Sequence, residues 1–435
     1  MLPILIRMGK VGREPLTSRG LQDELWIRKL TMPSQTILRT VEFKLYLNSS
    51  QEITLTEWLA KSCWLYNQCL EQRIKAYKRR GESVGYNQQC ELLTGLRERI
   101  PELAAMPVAF ERSALQRLDR GFAAFFRRVK AGQKPGFPRF HSRQRYNSLE
   151  YLAAGNYVRG DKLYIPKLGL VRMRAGDQDF TGKQKLLRII RRPTGWYGQV
   201  VLDTGIPIPE KVPVQSAVGI DMGLTHFLTT SSGEKIANPR CFRKSAKKLK
   251  RAQQKVCRRV KGSKNRRKAV KRLARIHERI KAQRRDFAHQ QARKLVNKYD
   301  LIGFEDLNIK GLAAGMLAKS VNDAAWGMFL GFLACKAESA GKHGVPVDPR
   351  GTSQECPFCG KVVPKLLSER VHRCECRSGT IDRDHASGLV VLFRALRVVG
   401  ATACGEFGLH AGDQTGACQL SETGSSASTG HYPST

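Results

Sequence analysis

The sequence predicts a multidomain α/β protein. One sheet-and-helix core is assembled from separated segments, a small cysteine-rich insertion interrupts it, and an N-terminal β-barrel carries a helical lobe. Three observations lead there. Acidic residues close apolar or β-branched runs at three distant places: Asp221 in VGIDMGLTHFLTTSSGE, Glu305 in LIGFEDLNIKGL and Asp384 in TIDRDHASGLVVL. The hydrophobic pattern changes from helical to alternating and back along the chain. Cys356 and Cys359 in CPFCG are followed by Cys374 and Cys376 in HRCECRS.

Composition bounds the partners. Lys and Arg number 76 against 37 Asp and Glu, a net charge of +39 that calls for a polyanion, nucleic acid above all. A ribosomal or chromatin-like packing protein would share the charge. A 41% hydrophobic fraction over 435 residues, however, supplies real cores. No apolar run reaches the length of a signal-peptide core or a membrane span. Cys63, Cys69, Cys90, Cys241, Cys257 and Cys335 are scattered singly, which argues against a disulfide framework and reads as small buried hydrophobes.

In chain order, residues 1–36 lack periodicity and read as a disordered extension, with Met32 an alternative start. The first strand is expected at Thr40–Leu47. Leu59, Cys63, Tyr66, Leu70, Ile74 and Tyr77 then recur every three or four residues, one face of a long helix. Pro101 and Pro107 interrupt this lobe before a further helical pattern through Leu115, Leu118, Phe122 and Phe125. From Tyr157 to Thr204, short β-branched and aromatic runs separated by Gly, Pro and Asp turns suggest a small barrel. A proline-rich linker after Ile208 leads to the sheet that begins near Ala217. The basic stretch from Arg243 to Asp300 follows, its apolar Val270, Leu273, Ile276 and Ile280 at helical spacing. Scarce acids there leave the cations unneutralised, so phosphate binding is favoured over a merely solvated face. Residues 400–435, rich in Gly, Ser and Thr, read as a flexible tail.

Taken singly, Asp221 would cap a turn, Glu305 would suit a helix N-terminus, and Asp384 would be an N-cap. Their order is harder to obtain from independent caps: strand Asp, basic helical insert, strand Glu, cysteine pairs, helix-start Asp. It matches an RNase H-like core, where two divalent ions about 4 Å apart serve in-line attack on a phosphodiester. The cysteines suit one structural zinc, since two thiolate pairs close a tetrahedral site and fold a segment too small for its own core. Because the second pair is C-x-C, its grip is less regular; His372 or Cys404 could supply a fourth ligand. A redox pair is the weaker alternative, for no βαβ context surrounds CPFC.

These segments resemble the transposon-encoded TnpB proteins, also called OrfB, compact RuvC-like relatives of the type V CRISPR effectors. The resemblance runs from about Thr40 to Val399. It is carried by QKPGFPRFHSRQRYNSLEY, VGIDMGLTHFLTTSSGEKIANPR, KGSKNRRKAVKRLARIHERIKAQRRDFAHQQARKLV, FEDLNIKGL, VDPRGTSQECPFCGK and LSERVHRCECRSGTIDRDH. It implies a transposon-encoded RNA-guided DNA endonuclease in the prokaryotic cytoplasm, associated with the nucleoid, with guide RNA and target DNA as partners. The implied organisation is a barrel, or wedge domain, at 37–52 and 147–213, a recognition lobe at 53–146, a RuvC-like nuclease at 214–350 and 377–399, and a zinc ribbon at 351–376. Catalytic positions map onto Asp221, Glu305 and Asp384, holding two Mg²⁺ or Mn²⁺ ions; Asp382 is the weaker aspartate of that motif. The family pattern DRD-x-N-A-A departs here to His385, Ala386, Ser387 and Gly388, without the customary Asn.

Backbone contacts are expected to hold the nucleic acid, pairing to carry specificity. Lys134, Arg139, Arg143 and Arg145, interleaved with Phe137, Phe140 and Tyr146, suit phosphate contact with base stacking; core packing is the alternative for the aromatics. Lys264, Arg266 and Arg267, in a turn between basic helices, suit phosphate. His226 and His289 read as structural. Two other functions remain open: a nuclease-impaired RNA-guided DNA-binding regulator, and a miniature type V CRISPR effector separable only by neighbouring DNA.

Overall fold

The computed structural model describes residues 36–400 except 153, 367, 377 and 378, with two short strands at 409–411 and 418–420. Strand β1 (Thr36–Tyr46) buries Val41, Phe43 and Leu45 on one face, the period of a half-buried strand. Asn48 then starts helix α1 (Ser49–Arg80) with a reciprocal cap: its side chain accepts from the Gln51 amide and the Gln51 side chain accepts from the Asn48 amide. Gly81, at φ 69°, ends the helix in the left-handed region that favours glycine. Helices α2 (Tyr86–Arg99), α3 (Pro101–Ala104) and α4 (Val108–Lys130) follow, the two prolines falling at helix starts where a missing N–H is tolerated. Leu55, Leu59, Cys63 and Leu70 of α1 share one core with Phe110, Leu115 and Leu118 of α4.

Strands β2 (Ser148–Tyr151), β3 (Val158–Arg159), β4 (Lys162–Ile165), β5 (Gly169–Arg174), β6 (Lys183–Arg192) and β7 (Gly195–Pro207) join β1 in an antiparallel sheet of order β2-β6-β7-β1-β5-β4-β3. The helical lobe is an excursion from this sheet. It leaves after β1 and returns at β2.

A second sheet holds β8 (Ala217–Asp221), β9 (His226–Thr230), β10 (Lys235–Ala237), β11 (Leu301–Glu305) and β12 (His343–Val347), in the order β10-β9-β8-β11-β12. Strands β8, β11 and β12 are parallel, and all five residues of β11 are buried, the continuous burial of a strand covered on both faces. Between β10 and β11 lie α5 (Cys241–Cys257) and α6 (Lys264–Lys298); between β11 and β12 lie α7 (Ile309–Leu312), α8 (Ala318–Ala324) and α9 (Trp326–Ser339). The cysteine segment ends in the hairpin β13 (Val371–Arg373) and β14 (Thr380–Asp382), which feeds α10 (Arg383–Val398) back over the second sheet. Strands β15 (Leu409–Ala411) and β16 (Cys418–Leu420) pair antiparallel within the Gly- and Ser-rich C-terminal segment, where a flexible tail is expected. The extension 1–36 lies outside the described residues, apart from Thr36.

Three expectations are corrected. Tyr77 is 59% exposed, because the buried stripe of α1 ends at Ala76. Val270 also faces outward, and Ala269 beside it is buried, while Leu273, Ile276 and Ile280 do pack with Cys241 and Leu249. Of the scattered cysteines, Cys63, Cys69 and Cys241 are buried, but Cys257 and Cys335 are exposed at the ends or outer faces of their helices.

Candidate active site

The two central parallel strands are in register from Leu301↔Ala217 to Phe304↔Ile220, so Asp221 and Glu305 end them side by side. Adjacent strands lie about 4.8 Å apart, close enough for the two carboxyls to feel each other. Asp384 arrives differently, in the first turn of α10, which crosses β8 and β11. Glycines permit that crossing: a Cβ on Gly219 would collide with the Gly388 carbonyl oxygen and the Leu392 amide, and one on Gly303 would sit 2.6 Å from Ala395 Cβ. Gly388 in turn faces β9, where its Cβ would lie 3.0 Å from Ser231 N. The VGID, LIGFE and HASGL glycines are therefore what let a helix lie close on the strands that carry the acids.

Electrostatics follow from this convergence. Burial, then the charges of Glu305 and Asp384, push the Asp221 carboxyl well above its ordinary value. Burial also raises Glu305, against the opposing Thr352 hydroxyl and Arg394 guanidinium. Thr352 Oγ1 donates to Glu305 Oε1 at 2.6 Å, and both residues are buried. Asp384 Oδ1 has Arg383 Nε at 3.5 Å. Asp382 has a different job: it is the N-cap of α10, accepting from the Asp384 and His385 amides at 3.0 and 3.2 Å, and it pairs with Lys235 at 2.7 Å. His385 Nε2 lies 3.0 Å from the Ser231 carbonyl oxygen, and Ala386, where the family pattern has Asn, is buried.

Oxygen donors only, Glu305 buried and Asp221 and Asp384 half-buried, suit hard divalent cations. Among the described residues, however, the four cysteines are the one group of three or more potential ligands whose donor atoms all lie within 4.8 Å of one another; the acids are spread more widely. Cys356 Sγ is 3.6 Å from Cys376 Sγ, and Cys359 Sγ is 3.6 Å from Cys374 Sγ. A tetrahedral zinc with bonds of about 2.3 Å places its sulfurs about 3.7 Å apart, so the set fits. The C-x-C pair reaches after all. His372 is not in the group, its Nδ1 facing Lys365 Nζ, and Cys404 lies outside the described residues.

Helices α5 and α6 enclose a cavity of about 800 Å³ lined by Lys244, Lys247, Lys248, Arg251, Lys255, Lys268 and Arg272, with no acid among its lining residues. The net charge of the stretch points to phosphate without naming these positions; the spacing 244, 247, 248, 251, 255 along one helix is the sequence signal that puts them on a common face. Lys264, Arg266 and Arg267 are not in a turn but in the first turn of α6, whose Ser263 cap accepts from the Arg266 amide. Lys134, Arg139, Arg143 and Arg145 are exposed. Tyr146 is 3% exposed, with the Arg117 guanidinium 4.5 Å from its ring, so core packing holds there and no ring face is offered to a base. Phe137 and Phe140 are exposed, the former edge-on to Phe122 and Phe125. His289 stacks on Phe332, a structural contact.

Comparison with known proteins supplies the family. Residues 199–315 match the family described as "Probable transposase", 326–390 match "Cas12f1-like, TNB domain", and 32–82 match "Helix-turn-helix domain", although from Thr36 onward the last segment folds as β1 and the single long helix α1. A Streptomyces pristinaespiralis protein named "Putative RNA-guided DNA endonuclease" is 31% identical over 86% of this chain and 92% of its own length. Its Escherichia coli K12 counterpart, "Putative RNA-guided DNA endonuclease InsQ", is 26% identical over 85% and 94%. The structure described as "Cryo-EM structure of the Cas12f1-sgRNA-target DNA complex" shares the fold, with a TM-score of 0.53 at 13% identity over 82% of this chain and 99% of that one. Similarity held across nearly the whole length, in the segments that build both the acid cluster and the four-cysteine group, makes this chain a member of the OrfB (TnpB-like) family.

Proposed function

We propose that the chain is a transposon-encoded RNA-guided DNA endonuclease that cuts DNA at Asp221, Glu305 and Asp384. One observation carries this reading: two parallel strands end in adjacent carboxylates, a packed helix adds a third, and Asp221 is pushed upward by both neighbours. A chain with 76 basic residues gathers three acids at one end of its central strands only at the expense of repulsion that cations relieve. Asp221, Glu305 and Asp384 would hold two Mg²⁺ or Mn²⁺ ions, whose chemistry there would be a more acidic attacking water and charge neutralisation at the phosphodiester, with 5′-phosphate and 3′-hydroxyl ends expected. The protein's own part is to fix three carboxylates, and the tight glycine contacts beneath α10 support that rigidity.

Guide RNA and target DNA are the partners. The α5–α6 groove, with the three cations of the first turn of α6 added to that helix's N-terminal N–H groups, suits their phosphates. A closed barrel for the seven-stranded sheet is supported at its edge: Gln184 of β6 accepts through its side-chain oxygen from the Tyr157 and Val158 amides, drawing β3 toward the opposite side. That barrel, spanning 37–52 and 147–213, would carry the recognition lobe 53–146, and the nuclease would comprise 214–350 and 377–399 around a zinc ribbon at 351–376. No described helix is long and apolar enough to cross a membrane, and the charge supports association with the prokaryotic nucleoid. The nuclease-impaired regulator rests on the DRDHASG departure alone.

Asp221→Ala decides between the two. It is expected to lower guide-directed cleavage by more than about 100-fold, the upper end for losing even an outer partner of a metal ligand, while guide RNA binding in a filter assay stays as in wild type. A variant that still cuts removes Asp221 from the site. A wild-type chain that binds guide and target but leaves the DNA whole supports the regulator.

A further inference from the structure

We propose that Thr352 is a positioning residue for Glu305, and that the strap 348–355 makes the four-cysteine ribbon and the acid cluster one mechanical unit. The inference rests on the reading of Glu305 as a cleavage-site acid and goes beyond it. Glu305 ends β11, and nothing in its own strand fixes its side-chain torsions. Its Oε1 accepts the Thr352 hydroxyl at 2.6 Å, across 47 positions of sequence. Both partners are buried, at 6% and 4% exposure, so water does not compete for this bond. A hydroxyl has one proton, and the alternative acceptor here, the Pro349 carbonyl, is farther away at 3.0 Å. The shorter, charge-assisted bond wins that competition and holds one carboxylate oxygen, leaving the other uncommitted by this contact.

Thr352 is itself held on both sides. Upstream, the strap leaves β12, whose Val347 pairs with Glu305. The guanidinium of Arg394, from α10, donates to the Asp348 and Arg350 carbonyl oxygens at 2.6 and 2.9 Å, and to Glu355 at 2.5 Å. Downstream, the Gln354 and Glu355 amides close a turn on the Gly351 carbonyl, and the next residue is Cys356, first of the four sulfurs. A displacement of the cysteine group is therefore passed through the three intervening residues to the hydroxyl that sets Glu305. The same helix that presents Asp384 pins the strap through Arg394.

The test uses the full chain with its guide RNA, and compares wild type with Thr352→Val, which keeps the shape and loses the hydroxyl, Thr352→Ser, which restores it, and Glu305→Gln. Two readouts are taken: cleavage rate at saturating guide and target, and Mn²⁺ affinity measured by electron paramagnetic resonance on the RNA-bound protein without DNA. Thr352→Val is expected to weaken both by about 10–100-fold, Thr352→Ser to return to within about 3-fold of wild type, and the melting temperature of all three to rank independently of these losses. Wild-type Mn²⁺ affinity and rate in Thr352→Val overturn the inference, as does a Thr352→Ser protein that melts like wild type but stays as impaired as Thr352→Val. If Glu305→Gln cleaves normally, the reading of the site fails instead. If Glu305→Gln is inactive while Thr352→Val behaves as wild type, only the role of Thr352 is lost.

Discussion

Glu42 of β1 accepts from Arg192 at 2.8 and 2.5 Å, from Gln199 at 2.6 Å and from Arg285 at 3.2 Å. Arg285 lies on α6, so one carboxylate ties the seven-stranded sheet to the longest helix of the other half. Burial pushes this acid upward, but the Arg192 and Gln199 hydrogen bonds and the two guanidinium charges win, leaving it at about 2 against an ordinary 4.5. A folded value below the unfolded one means the stabilisation is complete above pH 4.5 and is lost as pH falls through about 2. Glu42→Gln is therefore expected to destabilise the protein by about 1.5–3 kcal/mol at neutral pH, the range for hydrogen bonds to charged groups. The gap from wild type should close as chemical-denaturation curves are taken down from pH 4.5 toward pH 2. A gap that is constant with pH would show that Glu42 acts through packing rather than charge.

At the scale of elements, the site depends on how closely α10 lies on β8 and β11. Gly→Ala inside a strand ordinarily gains up to about 1 kcal/mol. At Gly303 the new Cβ would sit 2.6 Å from Ala395 Cβ and 3.1 Å from the Val391 carbonyl oxygen, and overpacking costs about 1–3 kcal/mol, so the cost wins. Gly303→Ala should lower the melting temperature and the cleavage rate together, because Asp384 rides on the displaced helix. Adding Ala395→Gly should recover part of both, a coupling that a double-mutant cycle reads directly. The α5–α6 pair makes a different prediction. Replacing Lys247, Arg251 and Lys255 by Gln should weaken guide RNA binding and flatten the dependence of log K on log salt by about one for each phosphate no longer neutralised. Weaker binding with an unchanged salt slope would mean the groove does not meet phosphates.

At the scale of the whole molecule, the described residues build two principal apolar cores, one shared by the seven-stranded sheet and the helical lobe, the other around the five-stranded sheet, with polar bridges such as Glu42–Arg285 and Arg192–Glu278 between them. The cysteine ribbon belongs to neither core. Cys356→Ser, or a strong chelator, is expected to unfold the ribbon and reduce cleavage while circular dichroism of the remaining strands and helices changes little and guide RNA binding persists. Global unfolding on chelation would show that the ribbon supports more than its own segment. Substitutions in the first core should melt the half built on the seven-stranded sheet without altering thiol protection in the ribbon, since each is held by its own set of interactions.

How much is legible in the sequence depends on how local the information is. Asp221 and Glu305 can be read because a strand end is written in the residues just before it, and the four cysteines because C-x-x-C turns and short loops encode their own geometry. The long helix α1, the prolines that start α3 and α4, the strands of the first sheet and the basic hairpin are legible for the same reason: period and punctuation lie within a few residues. The role of Asp382 as cap, the burial of Tyr146 under Arg117, the outward turn of Val270 and the Thr352–Glu305 bond are not, since each depends on an element that arrives from elsewhere in the chain. Sequence by itself determined which residue types are available and in which elements they stand. Tertiary structure decided which of them meet, because burial and hydrogen bonding between distant segments are set by the packing of whole helices on sheets, and the glycines that allow α10 its close approach acquire their meaning only there.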